Sequence, residues 1–146
     1  MSGAGIRTDT APSPVGAYPH ARRVGDLLFL SGVGPRQPGS NAVPGNVHDA
    51  DGRLIDHDID AQCRQVFANV RAVLEASGAQ WSDLVDVTVF LTDMARDFAI
   101  YNRIYAEYFA GVDACRTTLG ISSLPTPIAI ELKCVAALSS QETPSV

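Results

Sequence analysis

Residues 58–91, DIDAQCRQVFANVRAVLEASGAQWSDLVDVTVFL, change their apolar period part-way along, and that change decides the fold class. In the first half Ile59, Cys63, Val66, Phe67, Val70, Val73 and Leu74 recur at the spacing of one helical face. Asp58 stands before them as an N-cap and Gly78 after them as a stop, so a helix is expected in between. In the second half LVDVTVFL alternates, which predicts a strand with Val85, Val87, Val89 and Leu91 on one face. Upstream, AYPHARRVGDLLFLSGVG (17–34) reads as a hairpin that turns at Gly25 and Asp26. Residues 35–58 are rich in Pro, Gly, Asn and Asp and read as one long loop, functional or mobile. Downstream, a second helix is expected over about 95–110, with a stripe of Phe98, Asn102, Tyr105 and Phe109 and with Tyr101 and Tyr108 beside it. Two strands follow, CRTTLGIS (115–122) and PIAIELKCVAAL (127–138), joined by a short Ser/Pro turn. This order of elements is an α+β plan, two helices on one face of a sheet.

The 146 residues suit a single domain over 1–146, with a core from about 11 to 138 and loose tails at 1–10 and 139–146. Apolar residues at 46% and charged residues at 18% fit a globular chain. No apolar run reaches the roughly 20 residues of a membrane span, and the N-terminus lacks an apolar signal region, so a cytoplasmic, membrane-free protein is expected. Sixteen acids against eleven bases, net −5, with no basic cluster, speak against nucleic acid as a partner. Cys63, Cys115 and Cys134 are odd in number and lack a CxxC spacing, which argues against a disulfide framework and a zinc site. The acidic stretch NVHDADGRLIDHDID (46–60) fails as a calcium loop: counted from Asp49, Gly52 falls at the fourth place and Asp60 stands where a bidentate Glu is needed. GVGP (32–35) lacks the third glycine of a dinucleotide loop, and Ser31-Gly32 is not a nucleophile elbow. Neither a metal nor a cofactor is expected.

Two isolated charges remain on the last strands. Arg116 is the only base between Arg103 and Lys133, and Glu131 the only acid between Asp113 and Glu142. If the two strands pair about a turn between Ser123 and Leu124, position 116 lies opposite position 131, with small neighbours (Thr118, Gly120, Ala129) leaving room above. Such a pair is either a surface salt bridge or a binding site in which Arg116 grips a carboxylate and Glu131 handles water and protons. Leu27, Leu28, Phe29 and Leu30 are apolar on both faces, and Phe90 projects away from its strand's aliphatic side. With no third helix to cover the second face, another copy of the chain is expected there, and the site beside that interface.

The segments APSPVGAYPHA, LFLSG, QCRQVFANVRAVLEASGAQWSDLVDVTVFLTDM, DFAIYNRIYAEYF, CRTT and IAIELKCVAAL resemble, in order and spacing, the RidA (YjgF) family of imine and enamine deaminases over about residues 11–138. The resemblance implies a chorismate-mutase-like fold with a mixed sheet, a homotrimer with an inner β-barrel, and cofactor-free sites in the clefts between subunits. By position it implies that Arg116 binds the carboxylate of a small anionic substrate. It makes Glu131 the acid of the attacking water and Asn102 a pocket residue, both catalytic with Arg116. Tyr18, Ser31 and Gly32 match residues lining the pocket, and Phe90 and Thr118 are further binding candidates. Ala114 and Thr118 stand where many members carry Pro and Cys. With the long 35–58 loop, these departures are most similar to 2-aminomuconate deaminases, which implies conversion of 2-aminomuconate to 4-oxalocrotonate (2-oxohex-3-enedioate) and ammonia in aromatic catabolism. A second substrate carboxylate then needs another donor, with Arg36, Arg53, His20 and His48 as candidates. A generalist acting on 2-aminoacrylate, or a non-enzymatic trimer that binds carboxylates, remain alternatives.

Overall fold

The computed structural model describes residues 3–139. Strands β1 (Ala21–Val24) and β2 (Leu27–Leu30) form the expected hairpin, with Gly25 at φ 61° supplying the left-handed turn. Helix α1 (Ile59–Ala76) starts where its cap predicts: the Asp58 carboxylate accepts from the amides of Asp60 and Ala61. All seven apolar positions of its periodic face are buried. The 35–58 segment carries a small two-stranded ribbon of its own, β3 (Val47–His48) and β4 (Leu54–Asp56). It is also pinned down: Asn46 Nδ2 donates to the carbonyl of Pro127, and Gln62 Nε2 donates to Asn46 Oδ1. The N-terminal segment expected as a loose tail is likewise held, since Ile6 exchanges backbone hydrogen bonds with the His20–Ala21 segment. Of the C-terminal tail, residues 140–146 lie outside the described residues.

The main sheet has the order β1-β2-β7-β5-β6, with β5 (Leu84–Leu91), β6 (Cys115–Gly120) and β7 (Ile130–Ala137). Here the structure corrects the expected hairpin of the last two strands. Strand β6 pairs in parallel with β5, and β7 pairs antiparallel with β5 on its other side. The cause is the crossover: helix α2 (Met94–Phe109) carries the chain back along the sheet, so β6 enters in the same direction as β5. Residues 121–129 then pass across the end of β5 to start β7. Arg116 is therefore opposite Val87, and Glu131 opposite Phe90, with a whole strand between them.

Two smaller corrections concern faces. A bulge between Leu84 and Asp86 shifts the register, so Leu84 is buried (1% exposed) and Val85 turns outward (39%). Helix α2 is rotated from the expected stripe: Asp97, Tyr101, Ile104, Tyr105 and Phe109 are buried, while Phe98 and Asn102 are exposed. A carboxylate can occupy that buried line because His57 Nε2 donates to Asp97 Oδ2 at 2.7 Å. Both helices cover the face holding Val87, Val89, Ile130 and Leu132. The other face exposes Val24, Leu27, Phe29 and Leu119. No helix among the described residues is long and apolar enough to cross a membrane.

The buried Asn69 of α1 fixes the chain after β2, its amide donating to the carbonyls of Gly34 (2.8 Å) and Arg36 (2.7 Å). Removing it leaves two carbonyls without a donor, so Asn69→Ala should cost about 2 kcal/mol. A urea unfolding midpoint at neutral pH measures this; a loss below about 0.5 kcal/mol, the range of a surface change, would refute the role.

Candidate functional site

Residue parity assigns the candidate residues to two separate faces. Arg116, Thr118 and Gly120 are opposite Val87, Val89 and Leu91, so they face the helices. There Arg116 Nη1 donates to Asn102 Oδ1 at 2.9 Å, and the guanidinium lies 4.6 Å from the ring centre of Tyr105 and 5.4 Å from that of Tyr101. Tyr101 Oη and Thr118 Oγ1 share a hydrogen bond of 2.9 Å. None of the ion pairs among the described residues includes Arg116. The result is an exposed, always-charged fork whose orientation is set by an amide oxygen and two rings rather than by a carboxylate. The sequence reading missed the aromatic platform. Its trace was the i, i+4 spacing of Tyr101 and Tyr105, with Asn102 one place away.

Glu131 lies on the opposite face, half-buried, with Phe90 beside it across the strands. Its carboxylate sits against the backbone of Gly32, where an added Cβ would come within 3.0 Å of the carboxyl carbon. A side chain at position 32 would press on the acid, which would have to shift by a few tenths of an ångström. A cleft of about 350 Å³ brings Glu131 together with Tyr18, Gly32 and Arg36. A neighbouring recess of about 340 Å³ shares those last three and adds Ser31 and His20. Ser31 Oγ donates to the Pro19 carbonyl (2.7 Å), and Tyr18 Oη accepts from the amide of Val15 (3.1 Å), so both hydroxyls brace the wall. Within one chain, then, Tyr18, Ser31, Gly32, Phe90 and Glu131 cluster on one side. Arg116, Asn102 and Thr118 cluster on the other, and the expected Arg116–Glu131 pair does not form.

The four candidates for a second anion contact separate clearly. Arg53 pairs with Asp49 and Asp51. His20 is spent inside the wall, with Nε2 donating to the Pro12 carbonyl and Nδ1 accepting from the Thr8 amide. His48 is exposed on β3, and only Arg36 borders the Glu131 cleft. The acidic stretch is used locally: Asp49 accepts from the amides of Asp51 and Arg53, Asp58 caps α1, Asp60 pairs with Arg64 and Asp56 with Arg96.

Burial pushes the Glu131 carboxyl pKa above its ordinary 4.5. No described residue offsets this with a hydrogen bond. A raised folded-state pKa means that the native protein holds this proton more tightly than the unfolded chain does. The resulting stability is present below about pH 4.5 and fades as pH rises through the higher folded value. Glu131→Gln should therefore be more stable than the parent at pH 7, with the gap closing toward pH 4. Urea midpoints across that range test it, and a gap independent of pH would refute it.

Residues 8–138 match the family model described as Endoribonuclease L-PSP. A RutC family protein of Pyrococcus horikoshii is 38% identical over 131 residues, covering 90% of this chain and 94% of its own length. A 2-iminobutanoate/2-iminopropanoate deaminase of Dermatophagoides farinae is 32% identical over 134 residues, covering 91% of this chain and 94% of its own. The crystal structure of the YjgF gene product of E. coli superposes with a TM-score of 0.78 at 31% identity, covering 92% of this chain and 98% of that one. With a family match over nearly its whole length and the same two-helix sheet as its structural relative, this chain belongs to the RidA/YjgF (Endoribonuclease L-PSP) family.

Proposed function

We propose that the protein hydrolyses small 2-imino acids and their enamine tautomers to 2-oxo acids and ammonia, without a cofactor. The observation that carries this is the pair of unmatched charges: a positioned guanidinium without a carboxylate, and a half-buried carboxylate without a donor, on opposite faces of one sheet. The related deaminase of D. farinae supports the reaction class. In one chain the two groups cannot act on one molecule. The exposed apolar face of β1, β2 and β6 supports a second copy packed there, which would bring its own Arg116 to the cleft of Glu131. A homotrimer with the three sheets turned inward meets this need.

The chemistry follows from the residue types. Arg116 binds the substrate carboxylate through two parallel hydrogen bonds, with Asn102 holding the fork in plane. The enamine takes a proton on carbon and becomes the imine. Glu131 accepts a proton from water as its oxygen bonds to the imine carbon. The same proton passes to nitrogen; Glu131, again ionised, then takes the hydroxyl proton of the adduct as the C–N bond breaks, so that ammonia leaves as C=O forms. The raised pKa of Glu131 makes its carboxylate a stronger base, which favours this two-way transfer. Thr118, held by Tyr101, and Phe90, beside the acid, shape the two walls. A trimer that only binds carboxylates would use Arg116 but has no need for Glu131. Substrates with two carboxylates, 2-aminomuconate among them, are a second reading, favoured by the position of Arg36 in the cleft.

Ammonia release from freshly generated 2-iminobutanoate should exceed the spontaneous rate, and Arg116→Ala should lower kcat/KM by about a hundredfold. Glu131→Gln should also be nearly inactive. Refolding a 1:1 mixture of the two variants should restore activity in about a quarter of the clefts, because each then draws one intact residue from each of two copies. No recovery on mixing would show that the two residues serve one chain, or no common site.

A further inference from the structure

The cleft around Glu131 is suspended from one helix. Gln62 and Asn69, two buried side-chain amides of α1, are seven residues apart on its inner side, a rise of about 10 Å. Asn69 holds the wall after β2 through the carbonyls of Gly34 and Arg36. Gln62 holds the other wall, the segment that leads into β7. Its Oε1 accepts from the amide of Ala129 at 2.8 Å, and its Nε2 donates to Asn46 Oδ1 at 3.0 Å. Asn46 Nδ2 in turn donates to the carbonyl of Pro127 at 2.8 Å, so the two amides together clamp both ends of the 127–129 stretch. The Thr92 amide secures it from β5 by donating to the Ala129 carbonyl.

The clamped stretch belongs to the cleft. Pro125, Thr126 and Ile128 line it, and the Ile128 side chain lies against the backbone of Gly34, so the two walls touch. Glu131 follows Ala129 by two residues. The point at which Ala129 is held therefore sets where β7 begins, and with it how closely the carboxylate is pressed against Gly32 and hidden from water. Packing alone does not call for an amide at position 62, because an apolar side chain of equal length fills the same space without the cost of burying polar atoms. Few charged groups face the acid. Tyr18 and Arg36 border the cleft, His20 lines the neighbouring recess, and Lys133 donates to the Leu30 carbonyl. Phe90 stands opposite on β5, and the 125–128 wall carries no charge. Burial is the cause that raises the Glu131 carboxyl, so its titration reports how tightly the wall closes.

We infer that Gln62 is a positioning residue for Glu131: through Ala129, and through Asn46 of the 35–58 segment, it holds the wall that keeps water from the acid. The catalytic meaning of this hold rests on the deaminase reading, whereas the hold itself does not.

Carbon-13 NMR of carboxyl-labelled protein, with the Glu131 resonance assigned by its loss in Glu131→Gln, follows the acid without any substrate. Gln62→Met keeps the length and apolar packing but removes both hydrogen bonds, and it should move the Glu131 titration down toward 4.5. Asn46→Ala, at a half-buried position, should move it in the same direction. In turnover of 2-iminobutanoate, Gln62→Met should lower kcat about tenfold and leave KM within about twofold, because Arg116 is untouched. If Gln62 served only the core, Gln62→Met would lower the urea midpoint and leave the Glu131 titration as in the parent. An unmoved titration in Gln62→Met, or in Asn46→Ala should the first variant not fold, would overturn the inference, as would a rise in KM at unchanged kcat. A shifted titration in a protein that turns over no imine removes only the deaminase reading. Turnover with an unshifted titration removes only the role of Gln62.

Discussion

Strand β5 lies between β6 and β7, and the rest of the site depends on that position. Six residue pairs tie β5 to β6 in parallel and seven tie it to β7 antiparallel. Side chains alternate across each strand, so register decides which face every residue meets. Parallel pairing with β5 sends Arg116 under α2, while antiparallel pairing sends Glu131 to the bare face. Had β6 and β7 formed a hairpin, the two charges would have met as a cross-strand pair worth about 0.2–1 kcal/mol. That pair would have been satisfied within the chain, and neither group would have been left for a ligand.

Separation by a strand also explains the unusual electrostatics of the two groups. Arg116 is exposed, and the rings of Tyr101 and Tyr105 accept its guanidinium on their faces. Glu131 is pushed the other way, toward its neutral form, by burial against Gly32 and Phe90 without a cation to offset the loss of water. A carboxyl tuned upward and a guanidinium held ready are the two components that hydrolysis of a small anionic imine needs. The fold keeps them on opposite faces of one sheet.

The same logic connects the loops to the cleft. The segment after β2 would be free to move if its backbone were unsatisfied, yet Asn69 anchors it, and the 37–42 turn returns Asn41 to Arg36. The acids of residues 49–60 are spent on turns, a helix cap and local ion pairs. What distinguishes the cleft is therefore the one guanidinium on its rim, rather than the abundant charge of the neighbouring loop.

Local periodicity was sufficient for much of this. The face of α1, its Asp58 cap, the Gly25 turn and the strand character of residues 84–91 all follow from interactions between near neighbours in the chain, which the sequence displays directly. The sequence also nominated candidate site residues, as isolated charges on apolar strands and through family resemblance. Three features were not: the parallel pairing of β6 with β5, the bulge that turns Val85 outward, and the rotation of α2 that buries Asp97 and exposes Asn102. Each depends on contacts between segments far apart in sequence: a crossover helix that must pack on the sheet, a register shared by three strands, and His57 reaching Asp97 from 40 residues away. Sequence alone determined which residues alternate together. Only tertiary packing decided which side of the sheet each set would face, because strand neighbours are chosen by the burial of whole elements.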